Sequence, residues 1–332
     1  MARIRQDRRH GKGFAGRALG EYFVTMCKLG RRFLTLAASC ALLGGNARAE
    51  DGTVRIVLAG DIMLDGGPGH IVTLGQDPFA NVAKVLADAD LTVGNLECAI
   101  VKAGHAEDKP FTFRGPQKSL PLLKKHFSAV SLANNHSGDW GKHGFLTELE
   151  LLRETGLPYF GGGANLREAH RPLILTAHGK KIAFLGYNDF PPLRFAAGPS
   201  TPGTAWLIEK DAVRDIKLAR QQADFVVLFL HWGEDLEPTV TPQQKALAHA
   251  LIDAGADAII GGHPHLTQDA EWYKDKPIVY SIGNFVFDYY PHDPPVWKGW
   301  IVRLTLGKPV RAGLDLIDVE MDPAGVPHLV GK

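Results

Sequence analysis

Short runs of apolar, β-branched residues alternate with helical segments along the chain. The predicted strands are Val54–Ala59, Leu91–Val93, Ala129–Ala133, Ile182–Gly186, Phe225–Leu230, Ala258–Ile260 and Ile278–Ile282. The predicted helices are Pro78–Ala87, Gln117–His126, Phe145–Thr155, Ala212–Gln222 and Pro242–Ala254. The last helix has clear boundaries, since Thr241 can cap it, Pro242 suits its first position and Gly255 follows its end. This alternation predicts an α/β protein.

The first 49 residues have the pattern of an export signal. Arg31 and Arg32 precede the apolar run from Phe33 to Leu43, and residues 47–49 (Ala-Arg-Ala) fit the small-x-small cleavage pattern. This run is shorter than the roughly 20 residues that a spanning helix needs. We predict a leader over residues 1–49, one domain over residues 50–332, and a periplasmic or extracellular location. The alternatives are an uncleaved leader that anchors the protein in the membrane, and a start at Met26.

Charge and cysteine content narrow the function classes. The chain has 37 basic and 36 acidic residues. Residues 1–49 contain ten of the basic and two of the acidic residues, so the body, residues 50–332, has 27 basic and 34 acidic residues. A mildly acidic body offers no general reason to bind nucleic acid. Cys27 and Cys40 lie in the leader, so Cys98 is alone in the body and cannot form an internal disulfide there. We interpret Cys98 as a small buried residue.

Ligand-type residues follow six of the predicted strands, usually beside glycine or asparagine. They are Asp61, Glu97, Asn135 with His136, His231, His263 with His265, and Asn284. Loops beyond the carboxyl ends of strands are where α/β proteins build their sites. Imidazole, carboxylate and amide donors without a thiolate suit one or two ions of Mn, Fe or Zn. A bridging carboxylate could hold two ions roughly 3.5–4 Å apart, as in two-metal hydrolases.

Each of these residues also has an ordinary structural interpretation. Asp61 could cap a helix, Glu97 could be a solvated loop acid, and Asn135 with His136 could belong to a turn. His263 and His265 are more specific, because Pro264 makes their spacing rigid directly after a buried strand. The joint position of the set at strand ends favours metal binding over the separate alternatives.

Seven motifs, taken in order, resemble the CapA family, the poly-γ-glutamate capsule-synthesis proteins related to calcineurin-like metallophosphoesterases. The matching stretches are Gly60-Asp61-Ile62-Met63-Leu64, Asn95-Leu96-Glu97, Ala133-Asn134-Asn135-His136, Asp139-Trp140-Gly141, His231-Trp232-Gly233, Gly262-His263-Pro264-His265, and Ser281 to Asp288. The resemblance implies a four-layer α/β/β/α sandwich and a role in cell-envelope polymer production. It implies an anionic polymer or a phosphoester as substrate, and capsule-assembly membrane proteins as partners.

The resemblance also implies roles for the metal ligands. Asp61 opens a first metal site that His265 completes, Glu97 takes the bridging position, and Asn135 supplies an amide ligand. His231 and His263 complete a second site. Phosphoesterases usually have a histidine two residues after the first aspartate, and here that position is Met63, a poor ligand for a hard ion. The first site is therefore expected to be short of a ligand.

Further residues are assigned to catalysis and substrate binding by the same resemblance. His136 is the candidate general acid, and Asp139 is expected to orient it by accepting its other ring proton. Lys109 and Arg114, in the stretch Lys-Pro-Phe-Thr-Phe-Arg, are expected to hold a phosphate or carboxylate beside the metal. A solvated hairpin with incidental charges is the alternative, more for Lys109 than for Arg114. Asn284 is assigned to substrate binding.

Overall fold

The structure is a computed structural model that describes residues 52–288, 294–307 and 312–331. The predicted leader, with Cys27 and Cys40, lies outside these residues. The strands in chain order are β1 (Val54–Ile62), β2 (Leu91–Leu96), β3 (Ala129–Ser131), β4 (Tyr159–Phe160), β5 (Gly162–Gly163), β6 (Leu173–Ala177), β7 (Lys180–Asn188), β8 (Gly203–Thr204), β9 (Phe225–His231), β10 (Ala258–Gly262), β11 (Ala270–Tyr273), β12 (Lys276–Val279), β13 (Asn284–Val286), β14 (Lys298–Leu306), β15 (Gly313–Met321) and β16 (Pro327–Leu329).

The helices in chain order are α1 (Gly66–Thr73), α2 (Ala83–Ala87), α3 (Ser119–His126), α4 (Gly141–Thr155), α5 (Leu166–Ala169), α6 (Glu209–Arg220) and α7 (Pro242–Ala254). Short 3-10 turns lie at Ala80–Val82, Leu193–Phe195 and Pro294–Trp297. None of the helices within the described ranges has the length and apolar character needed to span a membrane.

Two sheets carry the fold. The larger has the strand order β16-β15-β14-β1-β2-β3-β4, and β13 lies beside the end of β1. Its strands β1 to β4 run parallel, whereas β14 pairs antiparallel with β1. The smaller sheet has the order β11-β12-β10-β9-β7-β6, with β7, β9, β10 and β12 parallel. The carboxyl ends of each parallel set therefore meet at one edge of their sheet.

The hydrophobic core arranges these elements in four layers. Apolar side chains between the sheets come from both, for example Ile56 and Leu58 from β1 with Val227 and Ile260 from β9 and β10. The outer face of the larger sheet packs on the helices of the first half of the chain, including α3 and α4. The outer face of the smaller sheet packs on α6 and α7. The predicted α/β/β/α sandwich is thus confirmed.

The predicted strand Ile278–Ile282 is shorter in the structure, and the strand that follows it belongs to the other sheet. β12 ends at Val279 in the smaller sheet, and β13 begins at Asn284 beside Asp61 in the larger one. The chain crosses at Gly283, whose φ of +66° lies in the left-handed region that glycine adopts without strain. The crossing joins the two sheets at the edge where the ligand-type residues lie.

The predicted boundaries of α7 are confirmed in detail. The Thr241 hydroxyl accepts a hydrogen bond from the Gln244 backbone N–H at 3.1 Å, and the Gln244 side chain accepts one from the Thr241 N–H at 3.0 Å. This reciprocal capping box satisfies two backbone donors that the helix itself leaves unpaired. Gly255 follows the last helical residue with a φ of +122°.

Candidate metal centre

The ligand-type residues of both sheets converge on one buried cluster. Asp61 comes from β1, Glu97 follows β2, His231 ends β9, and His263 and His265 follow β10. Each of these side chains is nearly or fully buried. Because the two sheets face each other with their ligand-bearing edges on the same side, residues more than 200 positions apart in sequence become neighbours.

One group of possible metal ligands is formed by Asp61, Glu97 and His231. Each offers a donor atom, and these atoms lie within 4.8 Å of one another. Nε2 of His231 is 3.4 Å from Oε1 of Glu97 and 2.7 Å from Oδ1 of Asn135. The amide oxygen of Asn135 is therefore placed to join the same group.

A second group consists of Glu97, His263 and His265, again with donor atoms within 4.8 Å. Glu97 belongs to both groups, which is the arrangement expected of a bridging carboxylate. The two groups are in contact, since Nδ1 of His265 is 3.7 Å from Oδ2 of Asp61 and the rings of His231 and His263 are 4.7 Å apart. The predicted division, with Asp61 and His265 at one ion and His231 and His263 at the other, therefore stays a prediction.

The buried polar atoms of this cluster fit a divalent cation. Both carboxylate oxygens of Glu97 and both ring nitrogens of His263 lack a hydrogen-bond partner. Burial, with the nearby Asp61 carboxylate, raises the pKa of Glu97 well above its usual range. Burial lowers the pKa of both His231 and His263 and keeps them neutral, as metal ligation requires. Unpaired buried polar atoms are costly, and a cation would satisfy them together.

Two asparagines that were not assigned as site residues orient the ligands. The Asn95 amide donates to Oδ1 of Asp61 at 2.8 Å and lies 3.2 Å from Nδ1 of His231. The Asn134 amide donates to Oδ1 of Asn95 at 3.0 Å, and Oδ1 of Asn134 accepts from the His136 backbone N–H. Both lie inside the quoted motifs directly before or close to an assigned residue. Such orienting partners are a normal part of metal sites.

Asn284 also orients a ligand and does not face the substrate space. Its Oδ1 lies 2.8 Å from Nδ1 of His265, and its amide donates to the Val296 carbonyl at 2.9 Å. The side chain is fully buried, and both its oxygen and its nitrogen have a polar contact. Asn284 therefore contacts a candidate metal ligand, and its assignment to substrate binding stays a prediction.

His136 and Asp139 lie together beside the metal ligands. Nδ1 of His136 is 2.8 Å from Oδ2 of Asp139, which also accepts from the Phe113 backbone N–H at 2.6 Å. Lys109 pairs with the other carboxylate oxygen and donates to the Asn135 carbonyl at 2.8 Å. Burial lowers the pKa of His136, although Asp139 opposes this effect. Lys109 thus acts within this network at the site.

A cavity of about 390 Å³ opens onto this cluster. Asn135, His136 and His265 form part of its lining. Its other walls are mainly aromatic or proline side chains, namely Pro110, Phe111, Phe113, Phe190, Pro191, Pro192 and Phe287. Lys109, Arg194, Asp108 and Asp235 add charged groups. A reactant in this cavity would meet His136 and the metal ligands on one side and apolar walls on the other.

Arg114 is not among the residues that line this cavity, and its role in holding an anion beside the metal stays a prediction. Its guanidinium stacks over the Trp140 ring at 4.6 Å and lines a separate depression with His70 and Gln117. Arg114 forms a β-bridge with Ala99. Neighbouring side chains of an extended chain point to opposite sides, so Phe113 faces the cavity while Arg114 faces away.

Met63 and Cys98 are core residues. Met63 is 1% exposed and belongs to the hydrophobic cluster beneath the larger sheet. Cys98 is buried, and its sulfur accepts a hydrogen bond from the Leu64 backbone N–H. The position where phosphoesterases usually carry a histidine is therefore occupied by a buried apolar side chain.

Comparison with known proteins gives a consistent result. Residues 55–289 match the family model described as bacterial capsule synthesis protein PGA_cap. The chain is 32% identical over 250 residues to the capsule biosynthesis protein CapA of Bacillus anthracis, covering 72% of this chain and 61% of that protein. It is 34% identical over 245 residues to the PGA biosynthesis protein CapA of Bacillus subtilis, covering 72% and 64%. The chain thus spans less than two thirds of the length of these two relatives.

Among solved structures, the chain resembles a 5'-nucleotidase precursor from Thermus thermophilus. The TM-score is 0.50 at 16% sequence identity, with 83% of this chain and 56% of that chain covered. At this identity the likeness concerns the fold alone. It agrees with the metallophosphoesterase-type sandwich described above.

Proposed function

Because the chain belongs to the bacterial capsule synthesis family PGA_cap, we propose that it is an exported, metal-dependent hydrolase of cell-envelope polymer production. The relatives are named for capsule and PGA biosynthesis, so the proposed pathway is that of capsule or poly-γ-glutamate. The proposed substrate is a phosphoester or an amide-type bond of an anionic polymer. Capsule-assembly membrane proteins are the proposed partners.

The observation that carries the proposal is the position of Glu97. It is shared by two ligand groups, and its oxygens have no other partner. Asp61, His231 and Asn135 would hold one ion of Mn, Fe or Zn, and His263 with His265 a second. Such ions, when bound, lower the pKa of water and neutralise charge on a phosphate-like transition state.

The chain's own residues supply proton transfer and positioning. His136 lines the cavity, and its Nδ1 is directed at Asp139, so Nε2 is the nitrogen available to a leaving group. Lys109 holds Asp139 and the Asn135 backbone in place. The apolar walls reduce the access of bulk water, which strengthens electrostatic interactions at the reacting atoms.

The test combines metal analysis with a hydrolysis screen of the purified protein. Phosphomonoesters, phosphodiesters and γ-glutamyl polymers are offered with Mn²⁺, Fe²⁺ or Zn²⁺. His263→Ala is expected to lose both metal and activity, whereas His143→Ala, an exposed histidine on α4, is expected to keep both. Full activity of His263→Ala without bound metal would overturn the proposal.

A second candidate function is non-enzymatic, in which the protein binds or guides a polyanionic polymer during export. Met63 favours it, since the position where phosphoesterases usually carry a ligand is part of the core here. Retention of a γ-glutamyl polymer with no hydrolysis under any of the metals would support this candidate. A phosphoesterase without a capsule role is the third, and a gene neighbourhood that lacks a capsule ligase would favour it.

A further inference from the structure

The turn after β9 brings an acidic side chain to the mouth of the metal centre. Oδ1 of Asp235 is 3.5 Å from Nε2 of His263 and 3.9 Å from Nε2 of His265. One oxygen of a single carboxylate thus faces the two imidazoles of the second ligand group. We propose that Asp235 is a further metal ligand, which completes the group of Glu97, His263 and His265. This inference rests on the metal centre of the proposed function.

The distances have the length expected between ligands of one ion. Two donor atoms that bind the same ion at about 2.1 Å with a tetrahedral angle lie about 3.4 Å apart. A direct hydrogen bond from an imidazole to a carboxylate would be about 2.7–3.2 Å long. The 3.5 and 3.9 Å separations exceed that range and approach the spacing of co-ligands. Oε1 of Glu97 and Nε2 of His231 have a similar spacing, 3.4 Å, in the first group.

The histidine nitrogens that face Asp235 are those able to ligate. Oδ1 of Asn284 lies 2.8 Å from Nδ1 of His265, and Nε2 on the other side of the ring faces Asp235. His263 has no hydrogen-bond partner on either nitrogen and is 1% exposed at its side chain. A buried imidazole without partners, with a carboxylate oxygen beyond hydrogen-bond distance, leaves a space that a cation fills.

The local backbone holds Asp235 in this position. Gly233 has a φ of +91°, and a Cβ there would lie 2.9 Å from Nε2 of Gln244, so the turn needs glycine. The Leu236 backbone N–H donates to the Pro264 carbonyl at 3.1 Å, and Leu236 itself has a φ of +57°. The turn that carries Asp235 is therefore tied to the His-Pro-His turn between its two histidines.

Asp235 also differs from the other proposed ligands by its exposure. Its side chain is 45% exposed and lines the cavity, whereas Glu97 and His263 are buried. It would form the outer face of the second group, next to the space for substrate. With Asp235 each group has four protein donors: Asp61, Glu97, Asn135 and His231 in one, and Glu97, Asp235, His263 and His265 in the other.

The test measures Co²⁺ binding to the full chain by calorimetric titration and by visible absorption, neither of which depends on activity. Asp235→Ala and the isosteric Asp235→Asn are compared with Glu234→Gln, the neighbouring exposed acid. We expect wild type and Glu234→Gln each to bind two ions, and we expect the affinities of the variant to equal those of wild type. In both Asp235 variants, the affinity for one of the two ions should fall at least ~10-fold, and the visible absorption spectrum of that bound ion should change.

An unchanged affinity and spectrum in Asp235→Ala would overturn the assignment and leave the hydrolase proposal standing. The reverse result is also distinguishable. If wild type binds two ions with the Asp235-dependent spectrum but hydrolyses none of the substrates, the proposed activity fails and the ligand assignment holds. A wild-type chain that binds no Co²⁺ overturns both.

Discussion

The imidazole of His136 and the carboxylate of Asp139 form a buried pair, with Nδ1 2.8 Å from Oδ2. Asp139 is fully buried and is itself held by Lys109 and by the Phe113 backbone. The pair determines the orientation of the ring and therefore which nitrogen can reach a reactant. A histidine in this setting can act in proton transfer without being a metal ligand.

Removal of His136 is expected to affect turnover more than binding. His136→Ala should lower kcat by ~10²–10⁴-fold, the usual range for loss of a general acid. Asp139→Asn should lower kcat by about 10–100-fold, since it leaves the ring present but poorly oriented. Steady-state kinetics with the best substrate of the screen, at saturating metal, gives both values.

The metal content of these two variants provides the control, and it should equal that of wild type. A fall in bound metal together with kcat would mean that the pair supports the metal centre and has no separate role in proton transfer.

Glu97 should link metal binding to stability. Its buried carboxylate has no hydrogen-bond partner, and an ion at 100 times its Kd would stabilise the fold by about 2.7 kcal/mol. A chelator is therefore expected to lower the Tm of wild type, and Glu97→Gln should lose most of that difference. Thermal unfolding with and without chelator measures this, with the exposed Glu150→Gln as a matched control. If the chelator lowered the Tm of Glu97→Gln as much as that of wild type, this result would contradict the proposal that Glu97 belongs to both ligand groups.

Glu148, on α4, should make stability depend on pH. Its Oε1 accepts from the Ile100 backbone N–H at 2.9 Å, and burial raises its pKa to about 8. A carboxyl with a higher pKa in the folded chain binds its proton more tightly there. Its stabilising contribution is complete below about pH 4.5 and is lost as the pH rises through about 8. The loss is at most about 5 kcal/mol.

Glu148→Gln should flatten this decline, because an amide does not titrate. Urea unfolding between pH 5 and pH 9 measures the free energy of unfolding at each pH. The exposed Glu154→Gln, on the same helix, should keep the slope of wild type. Equal slopes for Glu148→Gln and wild type would show that Glu148 does not cause the decline.

The capping box of α7 should contribute measurably to stability. Thr241→Ala removes the hydroxyl that accepts from Gln244 and is expected to destabilise the protein by about 1 kcal/mol. Thr239→Ala, an exposed threonine two residues earlier, serves as the control. Urea unfolding of the two variants compares them directly, and equal stabilities would contradict a role for the cap.

Most of the parallel strands and the candidate ligands could be predicted because both depend on local sequence, whereas the two-residue strand β4 was too short to predict. A buried parallel strand is apolar on both faces, so it forms a continuous run such as Phe225–Leu230. The ligands follow these runs directly. β15 and β16 escaped prediction because they are partly exposed and alternate polar with apolar residues, as in Leu314-Asp315-Leu316. α1 was not predicted because its three glycines and one proline have low helix propensity.

The roles of individual polar residues were harder to predict, because they depend on where a side chain points. Arg114 and Phe113 are adjacent in sequence, and only the structure shows that they face opposite sides. Asn284 and Asn95 sit in ligand-type motifs, yet each orients another residue. Asp235 lies 30 residues from His265, and their proximity results from two turns in contact.

The pairing of β1 with β14 has a consequence for the order of folding. β1 carries Asp61, and residues Val54 to Leu58 pair with Leu306 to Val302, which lie beyond the segment that matches the family model. During synthesis β1 cannot pair with β14 until about 250 further residues have been made. Such non-local pairing slows folding, and until it forms β1 has an open edge that invites association with other chains. A fragment that ends before β14 is therefore expected to aggregate, although it contains all the candidate ligands of the proposed metal centre.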